Sequence, residues 1–390
     1  MVLRRTVFYV FIVMVSSFSL LSTDLILPAF PEITTYFSCT EAQTNLTMIL
    51  FMAVLAIATL FWGPISDRYG RRPVLLIGTG LYFAGSVLCA FSPSITFLIV
   101  FRMLQAFGGG AANAVATAIV RDVFDEEAQV KALAVVQSMI MIGPAVAPII
   151  GALLLRIANW QATFFVQAIF GIVVIVGACI MKETNKAPLT VSLFRSLGRL
   201  GVVLSNKRFL LLMLLFTLAP FPMLAYVNGS PYIYQNGFGM SSQTYSFFFA
   251  ATGLVSIFGP MSYSFLARKF TRKNIPVLGF SIMAATGFCI LISGYRSPWL
   301  FLIFAAIANY CMGFVRPLGT FLMLNTREGD SGSASSLIGA SSMLAGSCGM
   351  IALSLFTNYL FAVGIIFAVC GLLAVVLWKI YQSAYKETIA

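Results

Sequence analysis

The segment Gly63-Pro64-Ile65-Ser66-Asp67-Arg68-Tyr69-Gly70-Arg71-Arg72-Pro73 is a dense polar and cationic turn between two long apolar runs. A hydrocarbon slab cannot hold that density of charge, so the segment marks a membrane face. Two helices packed on each other must reverse direction there. Gly63 and Pro64 weaken the end of the first helix, and Gly70 permits a sharp reversal. Arg68, Arg71 and Arg72 fix the turn on the cytoplasmic side. The chain is therefore expected to be an all-α integral membrane protein.

Hydrophobic residues make up 60% of the chain and charged ones only 9%, with a mean hydropathy of +0.96. Soluble domains carry roughly 25% charged residues. Spans of roughly 18–26 residues are expected near 7–27, 45–63, 74–91, 97–120, 133–155, 162–181, 209–228, 244–266, 275–294, 299–324, 334–356 and 360–381.

The net charge of +12 does not point to nucleic acid, because its distribution is topological. With the N-terminus inside, twenty of the lysines and arginines fall in cytoplasmic segments and only Arg156 and Arg296 in outer loops. That bias places both termini in the cytoplasm of a multi-pass protein of the inner (cytoplasmic) membrane. The first apolar run is too long for a cleavable signal and is followed by Asp24 and two prolines, so it is read as the first span. The seven cysteines are scattered and read as small hydrophobes. No histidine is present, which leaves carboxylates for any proton coupling. Neither a metal cluster, a nucleophile constellation nor a phosphate-cradling loop occurs, so no cofactor and no enzymatic activity are expected.

The basic stretch 182–208 divides the chain into an N-terminal six-helix bundle (1–181) and a C-terminal one (209–390). The halves echo each other. Gly63-Pro64-Ile65-Ser66 recurs as Gly259-Pro260-Met261-Ser262, each time before a cationic loop, and Gly143 has its counterpart in Gly339 at the same offset. Parallel repeats of this kind build transporters whose substrate site lies near the midplane between two rocking bundles.

Asp24, in Thr23-Asp24-Leu25-Ile26-Leu27-Pro28-Ala29-Phe30-Pro31, is the only acidic residue expected within the membrane. A carboxylate there costs roughly 2.5–3.5 kcal/mol on insertion scales and so needs a partner or a wet cavity. Two readings are open: an interfacial cap in outer water, or the protonatable group that couples proton entry to substrate exit. Arg102 lies at matching depth in the fourth span. It cannot shed its proton, so it either pairs with Asp24 or snorkels outward. Arg102, Gln105, Gly109 and Asn113 share one helical stripe, as a cavity wall would. Gly143, Ala147 and Gly151, spaced by four, form a small-residue face, with Pro144 and Pro148 as soft points. Other candidates for the cavity are Gln137, Tyr226, Asn228, Tyr232, Asn309 and Tyr310. Arg316, in the inner half of span ten, either snorkels to headgroups or faces the cavity and favours anionic or carbonyl-bearing substrates.

The turn at 63–73 resembles the signature loop of the major facilitator superfamily, and Arg102-Met103-Leu104-Gln105-Ala106-Phe107-Gly108-Gly109-Gly110 resembles its span-four motif. Gly143-Pro144-Ala145-Val146-Ala147-Pro148-Ile149-Ile150-Gly151 resembles the motif of its antiporters. Together with Asp24 these are similar to proton-driven multidrug exporters of the Bcr/CflA type, most clearly over residues 20–185. The resemblance implies two pseudo-symmetric bundles of six spans and drug:proton antiport by alternating access, with protons and lipophilic drugs as partners of a monomer. Asp24 and Arg102 would couple the proton. Gly63, Asp67, Arg68, Gly70, Arg71 and Arg121, with Gly143, Pro144, Pro148 and Gly151, would serve the gate and its conformational change. Asp67 is expected to be held by Arg121 and by the start of span eleven near Ser331-Gly332-Ser333; the alternative is a purely topological charge. Related exporters carry a second glutamate two turns before the aspartate, where this chain has Ser16, which argues against dication export. The competing reading is a facilitator or proton-coupled transporter of a small metabolite on the same fold.

Overall fold

The computed structural model describes residues 2–124, 126–185, 193–326 and 331–385, and these are helical almost throughout, with no strand among them. The chain divides into two compact units, Met1–Gly198 and Arg199–Ala390.

In the N-terminal unit the first span is broken. It comprises α1 (Val2–Ser16), α2 (Phe18–Asp24), a 3-10 turn (Leu27–Ala29) and α3 (Phe30–Tyr36). The Ser17 hydroxyl donates back to the Val13 carbonyl at 2.7 Å, a bond that competes with the helix ladder and bends it. Pro28 and Pro31 have no N–H to continue the ladder. The two arms, Val10–Ser16 and Leu21–Tyr36, meet at 50°. Then follow α4 (Glu41–Tyr69), α5 (Arg71–Ala90), α6 (Ile95–Val123), α7 (Glu126–Ile157) and α8 (Gln161–Ile180). A capping box starts α4: the Gln43 N–H donates to Thr40 Oγ1 and the Thr40 N–H to Gln43 Oε1. Within the unit α6 packs along α4 and α5, and α5 also along α8. Phe18, Tyr82, Ala111, Val115 and Val174 close the core between them.

The C-terminal unit holds the end of α9 (Leu193–Leu204), then α10 (Lys207–Thr217), α11 (Pro220–Pro231), α12 (Ser242–Lys269), α13 (Asn274–Ser293), α14 (Pro298–Leu324), α15 (Ser331–Ser354) and α16 (Tyr359–Ala384). Its packing repeats the order of the first unit: α14 lies along α12 and α13, and α13 along α16. Pro220 interrupts the seventh span, which ends in a π-helical stretch, Tyr232–Gly237. Such wide turns are rare and occur often at functional positions.

Among the described residues ten helical stretches are long and apolar enough to cross a membrane, eleven if the bent first pair is one span. The expected fifth span falls on α7, of which Ile142–Ile157 is a shorter apolar helix; the side chains of 130–141 lie outside the described residues. Exposed Ile57, Ile77, Ile169, Ile303 and Leu372 would be a liability in water and suit a lipid surround. The chain is a multi-pass membrane protein of helical bundles.

Candidate functional site

Asp24 ends α2 at the break of the first span and is buried. Its Oδ1 accepts from Thr23 Oγ1 at 3.1 Å. The antiporter-like segment of α7 packs against this break: a side chain added at Gly151 would run into the Leu25 carbonyl, with Pro28 behind it. The α7 glycine thus lets two backbones meet one residue beyond the carboxylate. Ser16, where a second carboxylate would sit, is buried and bonded to the Ile12 carbonyl.

The expected Asp24–Arg102 ion pair is not formed; the ion pairs among the described residues are both made by Arg71, at the 63–73 turn. Arg102 is fully buried, 0% exposed, and takes neutral partners instead. One terminal nitrogen donates to the Ser22 carbonyl at 2.9 Å and to Gln105 Oε1 at 2.7 Å. The guanidinium lies over the Phe51 ring at 4.0 Å and near Phe164 at 5.8 Å, a cation–π arrangement that partly replaces lost hydration. Its Nε and second terminal nitrogen have no hydrogen-bond partner. The reason is direction around the helix: α6 brings Arg102 against the Ser22 carbonyl of α2, and Asp24, two residues on in the same helix, projects about 200° further round.

The network extends further. Gln105 Nε2 donates to Ser86 Oγ and to Gln167 Oε1, both at 2.7 Å. These two acceptors fix which end of the Gln105 amide faces Arg102. Ser22 and Tyr82 share a hydroxyl–hydroxyl bond at 2.7 Å. Groups from α2, α5, α6 and α8 therefore hold Arg102, the one fully enclosed arginine among the described residues. Gln105, expected on a cavity wall, is wholly enclosed in this network, while Asn113 on the same helix is half-buried. Gly109 has room for a methyl group, its nearest neighbours being the Tyr82 and Leu55 side chains at 3.6 and 3.7 Å.

At the inner turn Asp67 is paired with Arg71, not with Arg121, which is exposed. The reversal at Gly70 folds the start of α5 back beside the end of α4, so the carboxylate meets a cation four residues on without needing α6. Arg71, 8% exposed, also binds Asp122 through Nε at 2.9 Å and Ser66 Oγ at 2.7 Å. The chain reverses at Gly70, whose φ of 101° lies where side-chain-bearing residues are strained. Glu183, just past α8, closes this turn. Its carboxylate accepts from the Arg71 and Arg72 backbone N–H groups at 2.9 and 3.0 Å, at the positive end of the α5 dipole. Partial burial opposes its charge, but hydrogen bonds from the Asn185, Arg71, Arg72 and Thr184 N–H groups outweigh it and hold the carboxyl below its ordinary value. Asn185 Nδ2 donates to the Asp67 carbonyl at 2.8 Å, and Thr184 Oγ1 reaches Asp122 at 3.3 Å. Arg68 is exposed against Tyr69. Gly63 has nothing within 4 Å of an added Cβ. Gly143, Pro144 and Pro148 lie within α7. The side chains at 331–333 and Gln137 lie outside the described residues.

The remaining candidates belong to the C-terminal unit and are described within it. Tyr226 stacks on Phe249 (6.2 Å, 4° between planes), and its hydroxyl lies 3.0 Å from Thr252 Oγ1. Tyr232 meets Tyr359 edge-on at 5.5 Å. Asn309 donates to the Ala305 carbonyl, and Tyr310 to Ser262 Oγ at 2.7 Å. Asn228 is fully buried with both amide atoms unpartnered. Arg316 is exposed on α14.

Sequence reasoning missed Ser22, Tyr82, Ser86, Gln167, Asp122 and Glu183. Asp122 and Glu183 carried a signal, each being an acid at the inner end of a span whose neighbouring loop is cationic. The others are single polar residues inside apolar runs.

The profile of the Major Facilitator Superfamily matches residues 12–350. An uncharacterized MFS-type transporter, YdgK of Bacillus subtilis (strain 168), is 33% identical over 341 residues, covering 84% of this chain and 83% of the relative. The Multidrug resistance protein MdtL of Shigella dysenteriae serotype 1 (strain Sd197) is 30% identical over 292 residues, 75% of this chain and 74% of its own. Among solved structures, a D-xylose-proton symporter superposes with a TM-score of 0.72 at 16% identity, covering 94% of this chain and 97% of that one. A peptide transporter bound to sulfate gives 0.74 at 16%, covering 97% and 94%. At such identities these two establish the fold alone. The chain belongs to the Major Facilitator Superfamily of membrane transporters.

Proposed function

We propose that the chain exports lipophilic small molecules in exchange for protons, a drug:proton antiport by alternating access with Asp24 as the proton carrier. One observation carries the reading: Asp24, the one buried carboxylate among the described residues, lies at a helix break with no cation in ion-pair contact. A carboxyl so placed is free to pass between its neutral and charged forms as water reaches it. When it is charged, Arg102, anchored to the Ser22 carbonyl with two donors unused, supplies a fixed positive field in a medium that screens little. The Gly151 contact ties α7 to the same break, so movement of the first span and a change at the carboxylate are mechanically linked. Asp67 and Arg71, clamped with Asp122 and Glu183, act as the inner latch of this unit. The relatives named Multidrug resistance protein MdtL support efflux as the direction and drugs as the cargo.

The test is transport by purified protein in proteoliposomes with an acidified lumen. Inside-out molecules should drive accumulation of a lipophilic drug, and an uncoupler should abolish it. Accumulation that ignores the uncoupler would sink proton coupling and favour a facilitator.

A further inference from the structure

We propose that Arg316 anchors an anionic group on the transported molecule, so that the substrates of this chain include lipophilic monocarboxylates. The inference rests on the transport reading above and adds the charge of the cargo to it.

Arg316 lies within α14, eight residues before Leu324 ends the helix, about 12 Å of rise from that end. A guanidinium at this depth must meet water, an anion or a polar shell of the protein's own. It does not sit on the lipid face. The exposed apolar residues of α14, Trp299, Ile303, Ile307 and Phe321, share one meridian. Arg316 is turned roughly 140° away from it, at 100° per residue. Asn309 and Thr320 lie within about 40° of Arg316 by the same measure. The polar stripe and the lipid stripe are therefore different faces of one helix. On its own face, away from the exposed apolar stripe, Arg316 is accessible.

Among the described residues its own unit offers it no counter-charge. After Glu183 the chain has acidic side chains only at Glu328, Asp330 and Glu387, all beyond the helices Lys207–Leu324. No ion pair engages Arg316 among the described residues. Arg102 shows what this chain does with a buried arginine meant to stay: it encloses it in carbonyl, amide and ring contacts. No such shell surrounds Arg316. A planar guanidinium presenting a free fork to an accessible space is suited to a carboxylate.

The charge balance gives the proposal a second signature. Export of a monoanion against one entering proton moves two unit charges across the membrane, whereas a neutral cargo moves one. Transport of an acid should respond more steeply to membrane potential than transport of its amide.

The experiment uses the full purified chain and two fluorescent aromatic acids, dansylglycine and 1-naphthylacetate, each beside its primary amide. Wild type should bind the acids about tenfold or more tighter, the range of a charge-assisted hydrogen bond. Arg316→Gln should bring acid affinity down to that of the amides and leave amide affinity and thermal melting unchanged, and Arg316→Lys should restore part of the preference. Absence of an acid preference in wild type, or its survival in Arg316→Gln, overturns the proposal. Equal weakening of acid and amide would make the residue structural and also overturn it. If Arg316→Gln instead strips bound phosphatidylglycerol and leaves the acid–amide ratio alone, the cation serves a lipid and the proposal falls. Because binding is read without a gradient, a failure of proton coupling leaves this result standing, and the reverse holds as well.

Discussion

The two units share a packing plan and divide the chemistry unequally. In the N-terminal unit a buried arginine, a buried carboxylate and two glutamines occupy the helix core, and acids clamp the inner turn. In the C-terminal unit the helices Lys207–Leu324 contain no acid at all. Their buried polar groups are hydroxyls, amides and tyrosines, such as the Tyr226–Thr252 and Ser230–Tyr245 bonds. Under the proposed antiport, a membrane carboxylate to carry the proton is then available only in the N-terminal unit. The repeated glycines make the same point about packing. Gly259 has the Tyr310 carbonyl 2.6 Å and the Gly313 Cα 2.9 Å from where a Cβ would stand, whereas Gly63 has open space. A shared sequence echo does not mean a shared duty.

Asp24→Asn tests the division most severely. If proton coupling resides only in the N-terminal unit, gradient-driven accumulation in proteoliposomes should vanish, a loss of about a hundredfold or more. Equilibrium binding of a neutral drug should persist and become independent of pH. Surviving uphill transport would mean that a carboxylate outside the membrane serves, and that the contrast between the units is not one of coupling.

Gln167→Leu asks whether the amide network positions Arg102 or merely fills space. Without Gln167 Oε1 the Gln105 amide keeps only Ser86 as acceptor and can flip its nitrogen toward Arg102. Transport should fall about tenfold and its pH profile should shift, while melting temperature moves little, since Gln167 Nε2 is itself unpartnered. A lower melting temperature with an unchanged pH profile would reduce the residue to packing.

The glycine pair separates the units by stability. Gly259→Ala forces a methyl group against backbone and should cost about 1–3 kcal/mol, read as a fall of several degrees in detergent melting. Gly63→Ala should be neutral or stabilise by up to about 1 kcal/mol, as alanine does in a helix. Equal effects would remove the asymmetry.

The smallest expected effect is at Glu183, which is exposed on one side. Its carboxyl is held below the ordinary value, so its contribution is fully present above a normal glutamate pKa of about 4.3. It fades as the pH falls through the lowered value. Melting of wild type should therefore decline below about pH 4 more than melting of Glu183→Gln. Parallel curves would show that the turn does not depend on this charge.

Much of the fold was legible because a membrane helix needs a long apolar run, and each expected span coincides with one helix or a broken pair. Helix breaks were harder to read. Two prolines announced the one after Asp24, but the bend near Ser17 comes from a side chain competing for a backbone carbonyl, which a hydropathy profile does not register. At the site, Asp24 and Arg102 stood out because charge is costly in hydrocarbon. Their separation did not, since depth along two helices says nothing about direction around them. Ser22, Tyr82 and Gln167 were invisible for the opposite reason: a lone hydroxyl or amide in an apolar span costs little, and only the partner across the helix gives it meaning. Asp67 was legible as a charge that needs a partner at the turn, but that partner is Arg71, four residues on, and not the expected Arg121.

Glu183 also bears on the order in which the protein is made. The groups it holds, at the start of α5, precede it by 112 and 111 residues. During synthesis at roughly 5–20 residues per second, α5 therefore leaves the ribosome some 6–22 s before its cap exists. In that interval the turn at Gly70 has the clasp of Arg71 with Asp67 and Ser66, joined by Asp122 once α6 is made. This end of the first bundle is thus completed just past its last helix, and a nascent chain truncated before residue 183 should present this turn more open to proteolysis.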